Sequence, residues 1–353
     1  MAGVYPFLFI PVALMAFWNG ANDSSKTVAT LVGGGVSSMR RSVWISATFN
    51  GLGTLAGLFL AYNILKLFTS GILVGGIVPT LDFVLAVLVG TIGWLVLATY
   101  ARMPVSTTHS LTGALVVAGA VAYGVSAVLW TSLSMKVLLP LLLSPVVAFG
   151  LAWAKCWGCE RLLQRRKDPA RWAHMEPMVD RAHWVSALSA SFTRGLNDGL
   201  KIAALGAIVL LADPPLQTPL TTLTLFGLVA VAMGSGGYLT GRRVGATMAH
   251  KVTRMDPMEG FAANLTTTAM VGAASVMGLP FSTTHVATGS LLGIRAKRSL
   301  LRRRGRESSG VDGAPAPPLK VVHQILFSWA VTLPFSGLLA VAAFYALRWT
   351  TGG

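Results

Sequence analysis

The chain carries two copies of one polar motif pair, and its residue types are those that bind anions and cations. Asn22-Asp23 is followed by the tetrad Ser106-Thr107-Thr108-His109, and Asn197-Asp198 is followed by Ser282-Thr283-Thr284-His285. The Asn-Asp pairs lie 175 residues apart and the tetrads 176 residues apart. Polar motifs repeated at half the chain length within apolar sequence are typical of a duplicated membrane protein whose site lies between its halves.

The hydroxyl side chains of the two tetrads suit an oxyanion. Pro104 and Pro280 precede the tetrads, and proline is favoured at the first position of a helix. We therefore expect each tetrad at the N-terminus of a half-helix, where unpaired N–H groups and the helix dipole favour an anion. Gly20 and Gly195 predict a helix break before each Asn-Asp pair. The candidate anion ligands are Ser106, Thr107, Thr108, Ser282, Thr283 and Thr284.

Asp23 and Asp198 lie in apolar sequence, where a carboxylate is costly and indicates a functional site by default. An oxyanion beside them is repelled by several kcal/mol for each unscreened pair of like charges in a low-dielectric site. Cations must therefore bind together with the anion. Oxygen ligands suit sodium or magnesium, and the aspartates could instead take protons. The sequence thus predicts anion–cation symport, with no cofactor and no metal beyond the coupling ion.

The histidines that close the tetrads, His109 and His285, do not indicate an enzyme, because the nucleophile pattern G-x-S-x-G is absent from the sequence. We expect hydrogen bonds in helix packing, with ligand or proton-relay roles as the second interpretation. Cys156 and Cys159 form a single C-x-x-C, which is weak support for a metal or redox site.

Composition predicts an all-α integral membrane protein. Hydrophobic residues make up 54% of the chain and charged residues 11%, whereas soluble proteins carry about 25% charged residues. Continuous apolar runs exclude a β-barrel and predict about ten to twelve membrane segments. The predicted spans are 4–38 (broken at 19–25), 44–64, 83–99, 103–123, 136–154, 185–211 (broken near 195), 220–240, 260–278, the short 281–294, and 323–347.

The net charge of +16 predicts topology, and we do not expect nucleic-acid binding. Basic residues lie between the apolar spans, as the positive-inside rule requires. They orient equivalent spans of the two halves in opposite directions, and an odd number of spans per half inverts the second copy. We therefore predict two inverted-topology repeats, 1–154 and 185–353, with both termini outside. A basic cytoplasmic loop, 155–184, joins them, and 295–320 is a cytoplasmic linker.

The four motifs closely resemble those of the inorganic phosphate transporter (PiT) family. The residues that carry the resemblance are Gly20 to Asp23, Pro104 to His109, Gly195 to Asp198 and Pro280 to His285. The resemblance implies inverted repeats with phosphate bound between them, coupled to sodium or protons. It also implies that Asn22, Asp23, Asn197 and Asp198 bind the cation and that the tetrad hydroxyls hold the phosphate.

The chain departs from the common family pattern at one place in each half. Members often have asparagine three residues after the aspartate, where Lys26 and Lys201 stand here. We hypothesise that these lysines partly neutralise the aspartates and reduce the number of sodium ions required, which favours proton coupling equally with sodium. The alternative is that they extend towards the membrane surface. Asn264 is a further candidate cation ligand, and Arg194 is expected to anchor its helix at the interface.

The sequence therefore predicts a secondary active symporter of inorganic phosphate, coupled to Na⁺ or H⁺ and working by alternating access. It would lie in the plasma membrane, the inner membrane if the source is bacterial. Sulfate or another tetrahedral oxyanion is the alternative substrate, and a non-transporting membrane sensor is the alternative from another class. The expected partners are phosphate, the coupling ion and the lipid bilayer, and assembly as a homodimer stays open.

Overall fold

A computed structural model describes residues 5–60, 71–75, 77, 79–163, 169–211, 218–247, 255–303 and 319–351. These residues form an all-helical protein, with one isolated β-bridge between Leu73 and Val128, so the predicted all-α class is confirmed. The helices are α1 (Tyr5–Asp23), α2 (Ser25–Gly33), α3 (Met39–Ala56), α4 (Leu81–Tyr100), α5 (Thr107–Tyr123), α6 (Leu139–Leu163), α7 (Pro169–Leu211), α8 (Pro219–Thr240), α9 (Arg242–Thr247), α10 (Pro257–Val276), α11 (Thr283–Arg303) and α12 (Leu319–Thr351). Shorter helical turns cover Gly57–Phe59, Val125–Ala127, Trp130–Ser132 and Leu133–Leu138.

The predicted helix breaks at the two Asn-Asp pairs are mostly missing. α1 and α2 are separated only by Ser24, whose backbone keeps helical angles of φ −56° and ψ −25°. Hydrogen bonds continue across it, because Ser24 N donates to the carbonyl of Gly20 and Val28 N to that of Ser24. The break predicted near Gly195 is wrong, since α7 is one continuous helix.

The two motif glycines bring helices together instead of breaking them. Gly20 of α1 lies against the backbone carbonyl of Met233 in α8, and Gly195 of α7 lies against that of Asn50 in α3. A Cβ atom at either glycine would collide with that carbonyl. The first helix of each half therefore packs directly on the second long helix of the other half.

A second pair of close helix contacts also joins the two halves. Gly113 of α5 lies against the backbone of Leu333 in α12, and Gly289 of α11 lies against that of Pro145 in α6. The two glycines are 176 residues apart, the same spacing as the tetrads. The helix that follows each tetrad is thus held by the last long helix of the opposite half.

The prolines before the tetrads do not occupy the first helical position, contrary to the prediction. Each lies two residues before the serine that caps the helix, so that α5 begins at Thr107 and α11 at Thr283. Ser106 has an extended backbone, with φ −97° and ψ 116°, which is the usual geometry of an N-cap. The serine therefore starts the helix, and the proline belongs to the incoming segment.

Two segments predicted as loops are helical at both ends. In 155–184, α6 continues to Leu163 and α7 begins at Pro169. In 295–320, α11 continues to Arg303 and α12 begins at Leu319. The remainder of each segment, 164–168 and 304–318, lies outside the described residues, as do the side chains of Cys156 and Cys159. Basic, polar composition excluded a membrane span here but not a helix. The predicted short span 281–294 lies, from Thr283 onwards, in the 21-residue α11.

Four helices in the described part are long and apolar enough to cross a membrane. They are Leu81–Tyr100, Trp130–Lys155, Pro219–Thr240 and Leu326–Thr350. Large apolar side chains such as Leu142, Val231 and Phe327 are exposed on helices of this group, as expected for a surface that faces lipid. The helices that carry the motifs bury charged and polar side chains between them. The predicted ten to twelve segments stay a prediction.

Candidate functional site

The N-termini of α5 and α11 are built in the same way. Ser106 and Ser282 each accept a hydrogen bond from the backbone N–H three residues later, that of His109 and of His285, at 3.2 Å in both cases. This is the standard N-cap bond, which satisfies one of the unpaired donors of the first turn. The first residue of each tetrad therefore caps its helix, and the next two residues lie in the first turn.

The two tetrads meet, as the sequence predicted. The Thr108 hydroxyl donates to the Phe281 carbonyl at 3.3 Å, and the Thr284 hydroxyl donates to the Val105 carbonyl at 2.7 Å. These bonds are equivalent, because each tetrad uses its second threonine to hold the segment that precedes the other tetrad. Two helix N-termini, each with a positive dipole end, consequently lie side by side.

Each aspartate forms an ion pair with the lysine three residues later. Lys26 Nζ lies 2.5 Å from Asp23 Oδ1, and Lys201 Nζ lies 3.0 Å from Asp198 Oδ1. The spacing places both side chains on one helix face. The lysines are only 2% and 0% exposed, so the alternative that they extend towards the membrane surface is wrong.

Thr283 joins the two ion pairs across the interface between the halves. Its hydroxyl lies 2.9 Å from Asp23 Oδ1 and 3.4 Å from Asp198 Oδ2. Lys201 adds a second link, because its ammonium donates to the Thr108 hydroxyl at 2.7 Å and to the Phe281 carbonyl at 2.9 Å. Both aspartates, both lysines and both tetrads thus belong to one hydrogen-bonded cluster.

Asn19 also belongs to this cluster, although no duplicated motif includes it. Its amide Nδ2 donates to Thr107 at 2.6 Å and to Asp198 at 3.2 Å. The residue at the equivalent place in the second half is Arg194, so the duplication that revealed the other site residues is missing here. Its position four residues before Asp23, on the same helix face, was the one available signal.

Asn22 and Asn197 hold the segments that lead into the tetrads. The Asn22 amide donates to the Met103 carbonyl at 2.9 Å, and its oxygen accepts from the N–H of Val105 at 3.2 Å. The Asn197 amide donates to the Phe281 carbonyl at 2.9 Å. Both side chains therefore position backbone at the site.

Arg194 is buried inside the protein, contrary to the expected anchor at the membrane interface. It is 2% exposed, and its Nη1 donates to the Thr27 hydroxyl at 3.1 Å. Its Nε has no hydrogen-bond partner among the residues the structure describes. A buried guanidinium with an unused donor is suited to an anion.

Asn264 lies apart from the aspartates. Its amide and the Thr30 hydroxyl are hydrogen-bonded, with Asn264 Nδ2 at 3.0 Å from Thr30 Oγ1. Thr30 is seven residues from Asp23, which is about two helical turns or roughly 10 Å along an α-helix. The structure thus places this candidate cation ligand outside the cluster of ion pairs.

The two tetrad histidines stack on each other behind the site. The ring centroids of His109 and His285 are 4.4 Å apart, and the His285 ring lies 3.7 Å from that of Trp329. His285 Nδ1 is 3.0 Å from the Leu141 carbonyl. These contacts agree with the packing role expected first, since they join α5, α6, α11 and α12.

The charges of the cluster leave one net positive charge. Two carboxylates face three side-chain cations, and all five groups are buried: Asp23, Asp198, Lys26, Lys201 and Arg194. Helix N-termini and hydroxyl groups surround them. Such a site attracts a small anion without exposing an uncompensated carboxylate to it.

The sequence matches known phosphate transporters along its length. It matches the phosphate transporter family over residues 19–340. It is 30% identical over 357 residues to a probable low-affinity inorganic phosphate transporter of Mycobacterium bovis, covering 99% of this chain and 79% of that protein. It is 29% identical over 350 residues to one of Rhizobium meliloti, covering 97% of both chains.

A solved structure described as the sodium-dependent phosphate transporter has the same fold. The two superpose with a TM-score of 0.82 at 22% identity, over 98% of this chain and 99% of that chain. The family consists of transporters, which confirms the prediction that the protein is a multi-pass membrane protein and not an enzyme. The match includes both halves and all four motifs, and the chain belongs to the phosphate transporter family.

Proposed function

We propose that the protein is a secondary active transporter of inorganic phosphate in the plasma membrane, a symporter coupled to Na⁺ or H⁺. One observation carries the proposal: two duplicated, hydroxyl-bearing helix N-termini meet beside two buried aspartates. An oxyanion fits the N-termini, and the acidic groups fit a co-transported cation. The relatives' names, which specify inorganic phosphate, support this substrate.

The two halves are inverted repeats that open the site alternately to either side of the membrane, with both termini outside. The close helix contacts between the halves support this proposal, because Gly20 and Gly195 make equivalent contacts with the opposite half. A site shared between two such units lies near the middle of the bilayer. Rocking one unit against the other would expose it first to one side and then to the other.

Phosphate is held by the tetrad side chains and the first-turn N–H groups of α5 and α11. The co-transported cation binds at the two Asn-Asp pairs, Asn22-Asp23 and Asn197-Asp198. Asn22 acts mainly through the backbone that it holds, and Asn264 is the weakest member of the proposed set because it pairs with Thr30. Sulfate is the competing substrate, because the same donors bind any tetrahedral oxyanion.

Radiolabelled phosphate uptake into proteoliposomes tests the proposal. Sodium and pH gradients are imposed separately, with arsenate and sulfate as competitors. We expect accumulation that arsenate inhibits and sulfate does not. Asp23→Asn and Asp198→Asn should each abolish it, while Asp82→Asn, the same change at the start of α4, should not. Normal uptake by both site variants would refute the site, and no uptake by the wild type would support the sensor alternative.

A further inference from the structure

We infer that Lys26 and Lys201 are built-in counter-ions, so that phosphate crosses without a sodium ion. The inference rests on the proposed phosphate transport and concerns the ion requirement of the same site. In both halves an ammonium group is tethered one helical turn from an aspartate, where a mobile cation would otherwise be needed.

Each lysine already occupies one of the carboxylate oxygens that a mobile cation would use. Lys26 and Lys201 each bond the Oδ1 atom of their aspartate, at 2.5 and 3.0 Å. Both ammonium groups are buried and cannot leave with the substrate. A tethered cation loses no translational freedom when the substrate arrives, whereas a sodium ion from solution does. In a symporter a cation from solution neutralises the aspartates. In this chain the lysine ammonium groups do so.

The charge count favours the monovalent anion with no added metal ion. With Arg194, the three side-chain cations exceed the two aspartates by one positive charge. Dihydrogen phosphate brings that sum to zero. Each sodium ion bound in addition would leave an uncompensated positive charge in a buried site, which is unfavourable.

The cluster keeps acceptors for the hydrogen atoms of that anion. Within the described residues, Asn19 Oδ1, Asp23 Oδ2 and Asn197 Oδ1 are buried without a hydrogen-bond partner. Dihydrogen phosphate has two O–H donors, whereas sulfate has none. The coupled proton thus travels on the substrate, so that an outside-acid pH gradient drives accumulation. A sodium ion bound to the same oxygens is the competing outcome that the experiment separates.

Uptake by the wild-type protein in media that differ only in their cation tests the inference. The initial rate is measured in sodium and in choline medium at the same pH, with the membrane potential clamped at zero. We expect equal rates, together with accumulation when the inside is alkaline. Uptake that needs sodium would overturn the inference and leave the proposed function intact. No uptake in either medium would contradict the proposed function itself.

Replacing both lysines gives a second test with a readout that a structural role would not produce. In Lys26→Asn/Lys201→Asn, each aspartate loses its counter-ion and gains a neutral oxygen ligand nearby. We expect uptake in choline to fall at least about tenfold and sodium to restore part of it. Lys136→Asn, at an exposed lysine, is the matched control and should behave like the wild type.

Unchanged uptake of the double variant in choline would overturn the inference. A folded double variant that sodium does not stimulate would overturn it as well, with folding checked by size-exclusion chromatography. If the double variant does not fold, the sodium-against-choline comparison of the wild type decides alone.

Discussion

The two aspartate–lysine pairs have the same spacing but different surroundings. Lys201 donates to Asp198, to Thr108 and to the Phe281 carbonyl, so the second pair is fixed to both tetrad segments. Lys26 donates to Asp23, whose second oxygen has no partner within the part of the chain that is described. The second pair therefore helps to hold the tetrad segments in place, which the first pair does not do. The first pair instead keeps a carboxylate oxygen that can accept a hydrogen bond from the substrate.

The two ion pairs have different surroundings because one position of the repeat carries different residues in the two halves. Asn19 in the first half approaches Asp198 at 3.2 Å, whereas its counterpart Arg194 donates to Thr27. The asparagine completes the bonding of the second carboxylate, and the arginine adds a positive charge. A duplicated site thus becomes asymmetric without losing either motif.

Replacing the lysines one at a time should reveal the largest difference in stability between the two ion pairs. Lys201→Met removes the counter-ion of a buried carboxylate together with three hydrogen bonds, so we expect it to destabilise the fold by about 3–5 kcal/mol. Lys26→Met should cost less, because the ammonium of Lys26 bonds to Asp23 alone among the described residues. Thermal unfolding in detergent measures both, with Lys136→Met as the control. Equal losses of Tm, or the reverse order, would contradict the proposed asymmetry.

Removing Arg194 should affect phosphate more than folding. Arg194→Gln takes away the cation that has no copy in the first half, and charge-assisted hydrogen bonds contribute about 1.5–3 kcal/mol. We expect the Kd for phosphate to rise about ten- to hundredfold. Equilibrium binding measures the effect, with Arg40→Gln at an exposed position as the control. An unchanged Kd would remove Arg194 from the site.

Adding a methyl group at the motif glycines should have the same effect in both halves. Gly20→Ala and Gly195→Ala both push against a backbone carbonyl of the facing helix, and overpacking costs about 1–3 kcal/mol. Gly227→Ala is the control, because a Cβ atom there meets no neighbour within 4 Å. A harmless Gly195→Ala beside a damaging Gly20→Ala would show that the two crossings are not equivalent.

Removing the two serine caps should give the smallest and most symmetric effect. Ser106→Ala and Ser282→Ala each delete an N-cap bond of 3.2 Å, and such a loss costs about 1 kcal/mol. We expect similar decreases of Tm, with Ser189→Ala, outside the site, as the control. If one variant has a much lower Tm than the other, the serine it lacks does more than cap its helix.

The duplicated part of the site was predictable from sequence, and the rest was not. Repetition drew attention to Asp23, Asp198 and both tetrads, and the structure brings them together. Asn19 and Arg194 stand at equivalent positions but differ in type, so no repeat marked them.

Helix breaks were overpredicted for a physical reason. Glycine permits both a break and a close helix crossing, and the sequence does not say which. At Gly195 the neighbour that decides the outcome is Asn50, which lies 145 residues away in the chain. The helical ends of the two predicted loops were missed because charged composition indicates contact with water and does not exclude a helix.

If the two motif copies form one shared phosphate site, each chain binds a single phosphate, and binding stoichiometry measures this number. Radiolabelled phosphate is titrated against the purified wild-type protein and against Thr107→Val and Thr283→Val, one change in each half. We expect one phosphate per chain and a loss of binding at the whole site in either variant. Two phosphates per chain, or variants that each retain half of the wild-type binding at unchanged affinity, would contradict it.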